Sequence, residues 1–107
     1  MSHIPAVTDA TFEAEVVRSD LPVLVDYWAD WCAPCRQLEP VVEKFAQEYE
    51  GRVKFVSLDV NTNTDIPLAY NVVNLPTIHL FKAGQVVGFA AGGEVKSKLR
   101  RLLSEAV

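Results

Sequence analysis

The chain has 107 residues, the size of one ordinary domain. Half of them are hydrophobic and 22% are charged, which excludes a disordered chain and leaves enough apolar material for a core without disulfide staples. Ten Lys and Arg against 14 Asp and Glu give a net charge of −4, which argues against a nucleic-acid partner, because phosphate is neutralised by clustered cations.

Residues 1–107 read as a single domain, with no internal repeat, linker or low-complexity stretch. Ile4 to Val7 is read as a short first strand. Thr8 or Asp9 can cap a helix in which Phe12, Val16 and Val17 form the apolar stripe. Asp9, Glu13, Glu15 and Arg18 interrupt any apolar run that a signal peptide or a membrane span would need. The expected compartment is therefore the cytoplasm, with no membrane partner. Ser19-Asp20-Leu21-Pro22 breaks the helix. Val23 to Ala29 is nearly continuously apolar, the pattern of a strand buried on both faces.

Asp30-Trp31-Cys32-Ala33-Pro34-Cys35 opens a second helix, with Pro34 in the first turn, where its missing N–H costs nothing. Leu38, Val41, Val42, Phe45 and Tyr49 recur at helical spacing, and Gly51 can supply the left-handed stop. Pro40 lies inside this helix and is expected to kink it, because the carbonyl of residue 36 loses its bond partner. Arg52 to Val60 reads as a strand, completing a β-α-β unit. A polar loop over residues 61–65 leads to a short helix from Ile66 to Tyr70, which Asn71 can end. Thr77 to Phe81 and Val86 to Ala90 are joined by Lys82-Ala83-Gly84-Gln85, short enough only for an antiparallel hairpin. Val95, Leu99, Leu102 and Leu103 stripe a final helix, whose Lys96, Lys98, Arg100 and Arg101 fit a solvated face. The order β-α-β-α-β-α-β-β-α predicts an α/β fold, a mixed sheet with helices on both faces.

The only two cysteines, Cys32 and Cys35, form one C-x-x-C. It lies at the carboxyl end of a central strand and the start of a helix, where open α/β sheets place their sites. A thiolate is the reactive form of cysteine, and a helix N-terminus favours negative charge. Cys32 falls at or near the N-cap and is expected to attack. Cys35 returns to the same face one turn later and is expected to resolve. Two inert core cysteines are the bland alternative. Zinc needs about four ligands, and the chain adds only His3, near the terminus, and His79, mid-strand without a matching partner. A zinc or iron–sulfur site shared between two chains would supply four thiolates and stays open at this point.

Asp26 is a carboxylate inside a buried apolar run. Burial raises a carboxyl pKa, and an acid tuned toward neutrality can shuttle protons, here from Cys35. The alternative is an edge aspartate facing water, or one satisfied by a lysine. Trp28 reads as core. Trp31 adjoins Cys32 and can offer a platform to a partner. Leu75-Pro76-Thr77 reads as a turn into a strand, and sequence alone does not predict a cis bond there.

At Trp31-Cys32-Ala33-Pro34-Cys35 the chain resembles the thioredoxin family. The agreement runs over essentially the whole length: Val25-Asp26-Tyr27-Trp28-Ala29, Pro40, Leu75-Pro76-Thr77, Phe81-Lys82-Ala83-Gly84 and Gly92. The resemblance implies a thioredoxin fold, with a central five-stranded mixed sheet, four flanking α-helices and a cis Pro76 facing the disulfide. It implies reduction of protein disulfides by a monomer with no bound cofactor or metal. The implied electron source is NADPH, through a flavin-containing thioredoxin reductase. Implied clients are ribonucleotide reductase, peroxiredoxin and methionine sulfoxide reductase. By position, Cys32 is the nucleophile, Cys35 the resolving thiol and Asp26 the buried acid/base. Trp31, Ala33, Pro34, Leu75, Pro76 and Gly92 form the client-binding groove, Pro76 supporting the substrate backbone. Three departures stand out. Ala33 replaces a usual Gly, Ser57 a common Lys and Asn74 an often small residue.

Overall fold

The computed structural model describes residues 4–107. The continuously apolar segment forms strand β1, Val23–Trp28. Cys32 caps helix α1, Ala33–Glu48, which runs through Pro40. Gly51, at φ +83°, turns the chain toward β2, Lys54–Asp59. Helix α2 is Asp65–Ala69, and Asn71 follows it at φ +58°. Strands β3, Thr77–Lys82, and β4, Gln85–Ala91, form the expected hairpin. A 3-10 turn over Gly92–Glu94 leads into α3, Val95–Ala106.

The strand order is β2-β1-β3-β4. β1 runs parallel to β2 and antiparallel to β3, and β3 pairs antiparallel with β4. The mixed sheet expected from the sequence is therefore present, with β1 at its centre. Among the described residues it has four strands rather than five. Where a first strand was expected, Ala6 makes only a parallel bridge to Ser57 at the edge of β2. Val7 N–H donates to the Ser57 carbonyl and Ser57 N–H to the Pro5 carbonyl. Pro5 has no N–H to continue the ladder.

The first expected α-helix is also different. Glu13–Val17 winds as a single π-helical segment, closed by Arg18 N–H on the Glu13 carbonyl at 3.0 Å. The β-branched pair Val16-Val17 weakens tight helical winding, and the wider turn still puts Phe12 and Val16 in the core. Thr8 Oγ1 caps the turn just before it, accepting from Thr11 N–H. Among the described residues, three α-helices and two short helical turns thus stand where four α-helices were expected.

Side chains alternate across the strands, so β1 faces both ways. Leu24, Phe55, Ile78 and Leu80 pack under Leu38, Val42 and Phe45 of α1 and Leu99 and Leu103 of α3. Val23, Val25, Tyr27, Val56, Leu58 and Phe81 pack on the opposite face against Phe12 and Val16. Asp26 shares the face of Leu24, beneath α1. The basic residues of α3 lie outward, and Arg100 pairs with Glu48 at 3.1 Å and Lys98 with Glu94 at 3.0 Å.

Candidate active site

β1 ends at Trp28, the chain crosses residues 29–32, and α1 starts at Ala33. Cys32 adopts an extended N-cap conformation, and its Sγ accepts the N–H of Cys35 at 3.2 Å. That N–H is one of the donors a helix start leaves unpaired. Cys32 and Cys35 are joined as a disulfide, with Cα atoms 5.3 Å apart. Both are buried, and the 4% and 3% exposures do not distinguish them. What distinguishes them is position. Cys32 is the cap, while Cys35 heads the inward stripe of α1 that continues through Leu38, Val42 and Phe45. Ala29 packs with the pair, and Trp28, Val60 and Leu75 lean against them.

Asp26 is almost fully buried, and neither carboxylate oxygen has a hydrogen-bond partner among the described residues. Burial pushes its pKa up from 3.8 to about 7, and the nearby Glu39 carboxylate acts in the same direction. Ser57 is its in-register neighbour on β2, also buried, and does not bond to it. Asp26 therefore sits on the sheet face that α1 covers, and Cys35 is on the side of α1 that faces the sheet. A buried carboxyl group whose pKa is raised toward neutrality can exchange a proton near neutral pH.

The Leu75–Pro76 bond is cis, and the Pro76 carbonyl accepts the Gly92 N–H at 2.7 Å. Pro34, Leu38, Leu75, Pro76, Gly92 and Val95 line a cleft of about 350 Å³. Four expected groove residues, Pro34, Leu75, Pro76 and Gly92, thus meet at one cleft. Trp31 and Ala33 do not line it. Trp31 is 67% exposed, and its indole N–H donates to Asn61 Oδ1 at 2.8 Å. Asn61 Nδ2 donates in turn to Asp30 Oδ1 at 2.8 Å. Asn61 lies in the polar loop that follows β2. Its amide links the ends of β1 and β2 beside Cys32, a contact 30 residues apart that no local pattern signals.

His79 is buried in β3, with Nδ1 3.2 Å from the Tyr27 hydroxyl. Burial lowers its pKa to about 4 and raises that of Tyr27. His3 lies outside the described residues. Among the described residues, no three His, Cys, Asp or Glu side chains gather in a group able to hold a metal ion.

A disulfide closing the first turn of a helix at the end of a central strand, beside a cleft and above a buried acid, defines a thiol–disulfide exchange protein. The chain belongs to the thioredoxin family, whose model, described as Thioredoxin, matches residues 3–105. Thioredoxin 1 of Nostoc sp. is 44% identical, the match covering 98% of each chain. Thioredoxin of Pseudomonas aeruginosa is 46% identical over 94% of each chain, and that of Synechocystis sp. 44% identical over 98% of each. The protein is a thiol–disulfide oxidoreductase, a protein-disulfide reductase that works through its redox-active cysteine pair rather than a bound cofactor.

Proposed function

We propose that Cys32 is the attacking thiol, Cys35 the resolving thiol and Asp26 the group that takes the proton from Cys35. The observation that carries this assignment is the N-cap position of Cys32, with its Sγ already accepting a backbone N–H. The same donor and the helix dipole favour a thiolate there in the reduced protein. The Cys32 thiolate attacks one sulfur of a client disulfide, and the other client sulfur leaves as a thiolate. Cys35, deprotonated toward Asp26, then attacks Cys32 Sγ. The second client sulfur leaves, and the chain is left with the Cys32–Cys35 disulfide. Two electrons pass to the client.

Reduction back to the dithiol needs an external donor. The family resemblance supports NADPH, delivered by a flavin-containing thioredoxin reductase. It also supports ribonucleotide reductase, peroxiredoxin and methionine sulfoxide reductase as clients. The cleft seats the client segment, with Pro76 supporting its backbone and Pro34, Leu75 and Gly92 forming walls. Trp31 and Ala33 extend the contact surface beyond the cleft. This reading has residues 1–107 act as a single domain and a monomer in the cytoplasm. No helix among the described residues is long and apolar enough to cross a membrane.

Trapping tests the assignment. Cys35→Ser should accumulate a mixed disulfide with an oxidised client protein, mapped by mass spectrometry to Cys32. Cys32→Ser should trap nothing and lose disulfide reduction. The opposite pattern would reverse the two roles.

A further inference from the structure

A second groove, of about 400 Å³, opens on the sheet face opposite the cysteine-side cleft. Tyr70, Val73, Asn74, His79, Val86 and Phe89 line most of it. At one end it reaches Thr77 and Ala91, which pair across β3 and β4. Those two residues adjoin Pro76 and Gly92, which line the first cleft. The two grooves are therefore separated only by the strand ends at residues 76–77 and 91–92. A polypeptide seated in the first can continue into the second.

The walls of the second groove are apolar and open to solvent. Val73 is 86% exposed and Phe89 63%. Rings stand on edge there: His79 meets Tyr70 at 6.2 Å and Phe89 at 6.5 Å between centroids. Such edges offer an incoming ring favourable tilted contacts.

His79 adds a polar group aimed into this wall. It is 7% exposed, and among the described residues its ring bonds to the Tyr27 hydroxyl alone, at Nδ1. Tyr27 is fully buried with no other side-chain partner among the described residues, so it satisfies its own proton by donating to Nδ1. The ring proton then lies on Nε2. The only sealed, unpartnered side-chain polar atoms among the described residues are those of Asp26, so Nε2 opens onto the groove. An N–H donor in an apolar, aromatic cavity is the composition of a binding site. The neighbouring edge of β4 is poorly suited to pairing with a second copy. A register shift opposite Leu80 and Phe81 bulges the strand at Val87, which interrupts any regular ladder.

We propose that the second groove seats an apolar, preferably aromatic, side chain of the client segment whose disulfide occupies the first cleft, with His79 Nε2–H donating to a carbonyl of that segment. The proposal rests on the reading of the first cleft as the client site. It gives the protein a sequence preference set at a distance from the reacting sulfurs.

The test uses disulfide-linked peptides with one phenylalanine, or alanine in its place, at successive positions from the attacked cysteine. Steady-state reduction is measured with dithiothreitol as recycling reductant. At one offset, phenylalanine should lower KM by about five- to tenfold, as expected for partial burial of one ring, with kcat unchanged. Val73→Ser and Phe89→Ser should erase that gain and leave the alanine peptides unaffected. Reduction of bis(hydroxyethyl) disulfide at the wild-type rate shows that both variants are folded. On binding of the preferred peptide, the His79 ring resonances should shift in the wild type. The proposal is overturned if no offset favours phenylalanine, or if the gain survives in both variants. If no peptide has a KM below that of bis(hydroxyethyl) disulfide, the client-cleft reading fails first, and this proposal with it.

Discussion

Asp26 is the residue to which the proposed proton transfer is assigned. Its folded pKa, about 7, lies above its unfolded value near 3.8. Between those values the unfolded chain has released its proton and the folded chain holds it. Stability therefore falls as pH rises through this window, is unpenalised below it and carries the full penalty above it. Ser57, the neighbour on β2, brings no positive charge to relieve the cost. Asp26→Asn should match the wild type near pH 4 and exceed it at pH 8, by at most about 4 kcal/mol. Urea unfolding of the oxidised protein at both pH values checks this. Equal midpoints for the two proteins at pH 8 would place the carboxylate in water. The sequence exposed this residue because a carboxylate interrupts Val23 to Ala29. It did not expose the Tyr27–His79 bond or the Trp31–Asn61–Asp30 link, whose partners lie 52 and about 30 residues apart and show no periodic signal.

Among the elements, those with strong patterns were legible and those resting on few residues were not. The stripe Leu38, Val42, Phe45 and the run Val23 to Trp28 appear as α1 and β1 because each buries a full face. The first strand and first helix are short, and local details decided them: a proline without a donor, and a β-branched pair that opens the winding. The hairpin is the clearest case of turn chemistry. Ala83 and Gly84 stand at φ +52° and +81°, both left-handed, as a two-residue turn matched to strand twist requires. Alanine is strained there, and asparagine tolerates that conformation better. Ala83→Asn should therefore stabilise the protein by about 0.5–1 kcal/mol. Gly84→Ala should destabilise it by about 1–3 kcal/mol, since its new Cβ would also lie 3.1 Å from the Val17 carbonyl oxygen. Thermal unfolding of the two variants reads both signs. A loss from Ala83→Asn, or no loss from Gly84→Ala, would contradict this account of the turn.

At the scale of the whole molecule, two apolar layers on one sheet leave the strand ends as the place where chemistry can be exposed. β1 supplies the buried acid, the start of α1 the disulfide, and the joins at Pro76 and Gly92 the cleft wall. The C-x-x-C and its place between strand and helix were legible in the sequence. The assembly of the cleft was not, because Pro34, Pro76 and Gly92 come together only once the sheet has brought distant segments side by side. The most direct test of the central claim is insulin disulfide reduction by a catalytic amount of the protein with excess dithiothreitol. The wild type should bring forward the precipitation of the freed insulin chains, and Cys32→Ser should do no better than dithiothreitol alone. A wild-type protein no faster than dithiothreitol, or a Cys32→Ser protein as fast as the wild type, would contradict it.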